Sequence, residues 1–153
     1  MKRHKSLIPL SHQHHDALIL AQLIKKDAPI YKGLPTDLNG KREYTLNFYK
    51  NDLVHHFEAE ELILFPFVSG LSAELDKLTN QLIDEHKQIA ELVELIRSEV
   101  EVETNLDNLG NLISSHVRTE ERKYFELVQK LLSESQLTVL QQELSNLDKK
   151  NRL

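Results

Sequence analysis

Apolar side chains return every three or four residues along this chain rather than every second one, the period of helices with one buried face. Ala17, Leu18, Leu20, Ala21, Leu23 and Ile24 mark a first helix over about 11–27, with Ser11 as its N-cap after Pro9, and Pro29 ending it. Residues 29–37, with Gly33 and Pro35, read as a connector. Leu46, Tyr49, Leu53, Ile63 and Leu64 mark a second helix that begins between 37 and 41, near Asn39-Gly40, and stops at about 65 before Pro66. A third, over about 72–98, carries Leu75, Leu78, Leu82, Ile89, Val93 and Ile96. Val100 to Glu103 alternates apolar and acidic residues and reads as a connection. Thr104 with Asp107 resembles an N-capping box for a fourth helix over about 105–132, which carries Leu109, Leu112, Ile113, Leu127 and Leu131. Ser133 with Gln136 is a second capping pair, for a shorter helix over about 135–147, after which the polar tail from Lys149 to Leu153 is expected to fray. The expected fold is all-α: an up-down-up-down antiparallel four-helix bundle with a short extra C-terminal helix. One domain is expected over 1–153, with its core at about 8–132.

Polar residues interrupt the apolar stripes at the same level of each long helix. His56 and Glu60 fall among Tyr49, Leu53 and Ile63, and His116 and Glu120 fall among Leu109, Leu112, Ile113 and Leu127. Each pair has the spacing that stacks two side chains on one helical face. The two segments repeat beyond the pair: His56-Phe-Glu-Ala-Glu-Glu61 and Leu64-Phe65 correspond to His116-Val-Arg-Thr-Glu-Glu121 and Tyr124-Phe125. His86 lies amid Leu82, Ile89, Ala90 and Val93. In the first helix His14 lies beside Ala17, Leu18 and Ala21, and His15 beside Gln22 and Lys26. Either is the candidate there, with His14 favoured. A single histidine on an apolar face is ordinarily a packed residue with its nitrogens satisfied. Four imidazoles and two carboxylates meeting in one interior are another matter, because unpaired buried charge is strongly disfavoured. The candidate metal ligands are therefore His14, His15, His56, Glu60, His86, His116 and Glu120.

Composition narrows the chemistry. There is no cysteine among the 153 residues, which excludes thiolate zinc sites, Fe–S clusters and disulfide frameworks. A formal net charge of −5 opposes a nucleic-acid surface. No apolar run approaches a membrane span, and the basic N-terminus lacks the apolar stretch of a secretory signal, so the cytoplasm is the expected compartment. Four histidines and two carboxylates exceed the roughly four ligands of one zinc, while calcium and magnesium prefer all-oxygen shells. Mixed nitrogen and oxygen donors suit iron or manganese. Two ions bridged by the two carboxylates would keep open positions for water, an oxo or hydroxo bridge, or a small ligand.

The repeated H-x-x-x-E with single histidines on the alternate helices resembles the hemerythrin-like (HHE cation-binding) domain family over roughly residues 8–132. Gln13-His14-His15, His56-Phe-x-x-Glu60-Glu61, Phe65-Pro66, Glu85-His86 and His116-x-x-x-Glu120-Glu121 carry the likeness. The resemblance implies a cofactor of two iron ions, with an oxo or hydroxo bridge, and a small diatomic or peroxide ligand. It implies roles in O2 binding, in sensing, in iron or redox homeostasis, or in protection against NO or peroxide. The chain departs from the oxygen-carrying members at two points. Leu82 stands where they place a second histidine, and Glu120, four residues after His116, replaces an aspartate five residues after. Both departures turn the expectation away from reversible O2 carriage. Two other readings stay open: a metal-dependent peroxidase or oxidase-type enzyme, and a metal-free helical interaction bundle whose fifth helix meets a partner.

Around the candidates, Tyr49 is expected one heptad before His56 on the same face. Lys123 is near the inner face of the fourth helix. Glu61, Glu85 and Glu121 adjoin ligand candidates and either orient them or are solvated. His4, His12 and His55 read as surface residues. No Ser/His/Asp arrangement and no phosphate-cradling glycine loop is present.

Overall fold

The computed structural model describes residues 1–151. Five helices account for most of them, and no strand occurs among the described residues. Helix α1 is Ile8–Ile24; α2 covers residues 38–68; α3 is Ala73–Arg97; α4 covers residues 102–131; α5 is Glu134–Asn151. None is long and apolar enough to cross a membrane.

The helix boundaries follow backbone chemistry more closely than the sequence pattern does. α1 starts at Ile8, not Ser11, because Pro9 sits in the first turn, where its missing N–H is no loss. The Ser11 N–H already donates to the Leu7 carbonyl, and no side chain caps the helix. The chain leaves α1 at Lys25 in an extended conformation, three residues early, and Asp27 takes a positive φ of 60°. α2 starts at Leu38, where Asp37 caps the Gly40 N–H. A Cβ at position 40 would stand 2.5 Å from Asp37 Oδ1, so glycine is what allows that cap.

Pro66 does not end α2, which runs on to Val68. A π turn over Glu60–Leu64 precedes it, with the Phe65 N–H reaching back five residues to the Glu60 carbonyl. This wider turn shifts the ladder by one residue, and a residue with no N–H fits where the register returns. The Thr104–Asp107 capping box is not formed. α4 begins earlier, at Val102, after Glu101 with φ 37°, and Asp107 instead accepts a hydrogen bond from the Lys26 N–H across the bundle. The Ser133–Gln136 pair does form a reciprocal cap: the Ser133 N–H donates to Gln136 Oε1, and the Gln136 N–H to Ser133 Oγ. α5 stays helical through Lys149 to Asn151, where fraying was expected; Arg152 and Leu153 lie outside the described residues.

Two apolar clusters fill the bundle. One joins Leu20 and Leu23 of α1, Leu53 and Phe57 of α2, Ile89 and Ile96 of α3, and Leu106 and Leu109 of α4. Here α1 and α4 approach closely at Gly110, whose Cβ would lie 2.7 Å from the Ala21 carbonyl oxygen. The other joins Leu10 before the α1 candidates, Leu64 and Phe65 of α2, Leu75 and Leu82 of α3, and Tyr124 and Phe125 of α4. α5 folds back along α2 and adds Leu137 and Leu140 to this second cluster, so its apolar face is covered by the chain's own bundle. His14 on α1, Glu60 on α2, His86 on α3 and Glu120 on α4 fall between the two clusters in sequence, with His56 and His116 one turn before the glutamates at the edge of the first cluster, a polar layer enclosed from both ends.

Candidate metal centre

Six of the seven candidates meet in that layer. His14, His56, His86 and His116 are 2–5% exposed, and Glu60 and Glu120 are fully buried. His15 is exposed on the outside of α1 and joins none of them, whereas His14 faces the centre. The six form two overlapping groups, His14/His56/Glu60/Glu120 and Glu60/His86/His116/Glu120, each with one donor atom per residue within 4.8 Å of the others. Both carboxylates belong to both groups.

Each glutamate opens a π turn, Glu60–Leu64 in α2 and Glu120–Tyr124 in α4. The buried residues then follow at the same offsets: Leu64, Phe65 and Val68 after Glu60; Tyr124, Phe125 and Val128 after Glu120. The inserted residue lets a carboxylate and then a pair of large apolar side chains face inward on one helix, which an unbroken α-helix does not offer at that spacing.

The ring nitrogens are sorted. Every Nδ1 turns away from the centre to a partner on a neighbouring helix: His56 to Gln13 Oε1 (2.6 Å), His86 to Glu61 Oε2 (2.7 Å), His116 to Glu85 Oε1 (2.7 Å) and His14 to Glu121 Oε1 (2.8 Å). The partners run in a ring, each helix holding the histidine of the next: α1 to α2, α2 to α3, α3 to α4, α4 back to α1. A donor hydrogen held on Nδ1 leaves the Nε2 lone pair for the interior. Arg3, in the segment before α1, adds a further tie by donating to the Glu121 carbonyl and carboxylate, both at 2.9 Å.

The inward atoms then have no protein partner. Among the described residues, ten buried side-chain polar atoms lack a hydrogen bond, and eight are the four Nε2 and the four oxygens of Glu60 and Glu120. Some come close without the alignment a hydrogen bond needs: His116 Nε2 and Glu120 Oε1 at 2.8 Å, His86 Nε2 and Glu60 Oε1 at 3.1 Å, and His14 Nε2 and Glu120 Oε1 and His56 Nε2 and Glu60 Oε2 both at 3.5 Å. Donors about 2.1 Å from a six-coordinate ion stand about 3 Å apart when at right angles. The donor set and its spacing thus fit metal ions, and eight orphaned atoms at one point are costly without them.

Without a cation the site must hold protons instead. Burial works against charge on His116 and His14. The adjoining Glu120, assisted by Glu85 and Glu121, outweighs it and raises them to about 10 and about 9. Burial, with Glu120 alongside, raises Glu60 to about 8. Burial and the neighbouring His116 lower His86. Burial pushes Glu120 upward, but its contacts with Glu60 and His116 hold it well below the ordinary carboxylate range.

Aromatic side chains enclose the histidines. Phe57 stacks on His86 with ring centroids 3.9 Å apart, and Phe125 stacks on His14 at 5.6 Å. Leu82 is fully buried in the apolar cluster, and no histidine comes near from that position. Tyr49 is half-buried against the apolar cluster on the other side; a π turn over Tyr49–Leu53 separates it from His56 and breaks the heptad spacing. Lys123 is exposed, as are His12 and His55, while His4 is partly buried between Ser6 and Glu134. In the sequence Gln13 is marked only by its place beside His14, and nothing local marks Arg3. Glu61, Glu85 and Glu121 prove to orient histidines rather than merely face solvent.

A curated relative, a DNA nickase from Nostoc sp. (strain PCC 7120 / SAG 25.82 / UTEX 2576), is 35% identical over 99 residues, which is 62% of this chain. Those residues make up 27% of the relative, so the chain spans about a quarter of its length. No solved structure matches. The family model for the hemerythrin HHE cation binding domain matches residues 5–128, a span that contains all six inward-facing residues and all four of their Nδ1 partners. The chain belongs to the hemerythrin HHE cation-binding domain family.

Proposed function

We propose that this single domain is a non-haem di-iron protein that binds O2 or a related small oxidant, NO or peroxide, and serves in sensing, iron or redox homeostasis, or stress protection. The observation that carries the reading is the set of eight buried donor atoms without a protein partner, divided into two groups that share both carboxylates. His14 and His56 would hold one ion, His86 and His116 the other, with Glu60 and Glu120 between them. Iron bound there supplies open coordination positions and one-electron chemistry toward small oxidants. The chain itself orients each Nε2 through its Nδ1 partner, excludes bulk water with Phe57 and Phe125, and keeps a fully apolar wall at Leu82. The alternation of helix halves between the two apolar clusters supports the up-down-up-down course that brings the six residues to one level.

The metal-free interaction bundle is disfavoured by the same orphaned atoms. From the nickase relative the proposal takes no strand cleavage: the shared part is a minor share of that protein, and the −5 charge of this chain opposes phosphate contacts. The enzyme reading gains from one observation the sequence did not offer, a cavity of about 610 Å³ reaching His14 and His56. Expression with iron, followed by metal analysis and near-UV and visible spectra with and without O2, tests the central claim. The expected result is about two irons per chain with charge-transfer absorption that responds to O2, NO or peroxide. Metal below about a tenth of an atom per chain under iron-replete conditions would sink it.

A further inference from the structure

We propose that the cavity roofed by α5 binds an apolar organic amine, its hydrocarbon part among Leu53, Phe57 and Val117 and its ammonium group at Asp16 and Asp52. The cavity lies between α1, α2 and the returning α5, and its volume of about 610 Å³ is far more than a diatomic molecule needs. It lies within the roughly 300–1,000 Å³ of small-molecule sites. Its floor is buried and apolar: Leu53, Phe57 and Val117 are 4–7% exposed. Its rim is exposed and acidic, with Asp16 on α1 and Asp52 on α2. No Lys or Arg occurs among the described lining residues. The rim therefore repels a carboxylate or phosphate ester and attracts a cation, while the floor rewards hydrocarbon.

Polarity also fixes the orientation. The inner end of the cavity is formed by His14, His56 and His116, whose Nε2 atoms are unpartnered. With the ammonium at the rim, the apolar end of the guest points toward them, away from any like charge on bound cations. His86 does not line the cavity, because Phe57 stacks across it. A guest therefore approaches the His14/His56 side of the centre. This last juxtaposition rests on the metal reading; the binding itself does not.

The test is calorimetric titration of 4-phenylbutylamine, 4-phenylbutanol and 4-phenylbutanoate at pH 7, into iron-loaded and metal-free protein, with metal content measured separately. The amine is expected to bind one per chain and at least about tenfold more tightly than the carboxylate, with the alcohol between. Asp16→Asn with Asp52→Asn, both at exposed positions, should weaken the amine roughly fivefold and leave the alcohol unchanged. Ser145→Trp, on the α5 roof and away from the centre, should abolish binding of all three while metal content stays as it was. Failure of all three compounds to bind below millimolar concentration overturns the proposal. So does a carboxylate that binds as well as the amine, or undiminished binding in Ser145→Trp. Amine binding by a chain that takes up no iron would leave this inference standing and defeat the di-iron reading; two irons with no amine binding would do the reverse.

Discussion

The two H-x-x-x-E segments are near copies in sequence and in backbone, yet the fold gives them different surroundings. In both, the glutamate opens a π turn and is fully buried, and a phenylalanine follows five residues later. His116 is backed by the carboxylate of Glu85 on α3. His56 is backed by the neutral amide of Gln13 on α1, beside the cavity under α5. The repeat thus supplies two equivalent half-sites, and the helices packed beside them make the halves unequal. A carboxylate partner makes an imidazole a stronger donor than an amide partner does. On the His86/His116 side both histidines have carboxylate partners; on the His14/His56 side only His14 does.

The largest test of this comparison is to remove what the halves share. Because Glu60 and Glu120 belong to both donor groups, Glu120→Gln is expected to lower apparent affinity for both ions by more than about 100-fold, beyond the 10- to 100-fold typical of outer-layer partners. His56→Ala should be milder in kind, since it leaves Glu60, His86, His116 and Glu120 intact and should retain about one ion per chain. Metal analysis after gel filtration reads both. One firmly held ion in Glu120→Gln would mean that the halves do not share that carboxylate.

Next in size is the dependence of stability on pH, which should reverse when metal is bound. In the metal-free protein His14 and His116 are raised from 6.5 to about 9 and about 10, and Glu60 from 4.5 to about 8. Groups raised on folding stabilise fully below their unfolded pKa, and that stability is lost as pH climbs through the folded value. The lowered groups, Glu120 and His86, act below about 4.5 and about 6.5 respectively, so from pH 6.5 to 10 these shifts all point one way. Metal-free protein should lose several kcal/mol across that window. Bound metal requires the same groups deprotonated, so its stabilisation grows with pH. Thermal unfolding under argon at pH 6.5, 8 and 9.5, with and without Fe2+, should give midpoints that fall in one series and hold or rise in the other. Parallel falls in both would show that metal does not engage His14, His116 or Glu60.

How much of this was legible in the sequence follows from what periodicity reports. A 3.6-residue pattern locates the inner face of a helix, so the five helices, His56, Glu60, His86, His116 and Glu120 could be placed from spacing alone. His14 and His15 could not be separated firmly, because neighbours in a first turn differ by one step of rotation and the turn's phase depends on where the helix starts. The Pro9 start moved that point three residues before Ser11. The π turns were invisible to a fixed period, and with them the continuation of α2 through Pro66 and the displacement of Tyr49. The Nδ1 partners are contacts across helices. Glu61, Glu85 and Glu121 carried a faint signal by adjoining ligand candidates, but Arg3 reaches Glu121 from 118 residues away, and no local pattern encodes that. The cavity is likewise a product of how α5 returns over α2.

The smallest effect tests the inequality itself. Gln13→Glu gives His56 the carboxylate partner that the other three histidines have, and Glu85→Gln gives His116 an amide. The first should tighten one step of a two-step iron titration and the second loosen one step, each by roughly tenfold, the lower end of the range for outer-layer partners. If the amide is what sets the His14/His56 side apart, Gln13→Glu should bring the two steps together and Glu85→Gln combined with it should separate them again in the opposite order. Gln13→Ala is the control for packing: it removes the Nδ1 acceptor without supplying charge, so it should loosen the same step that Gln13→Glu tightens. Identical shifts from Ala and Glu would show that residue 13 acts by filling space, and the difference between the halves would then have to come from the cavity and not from the hydrogen bond.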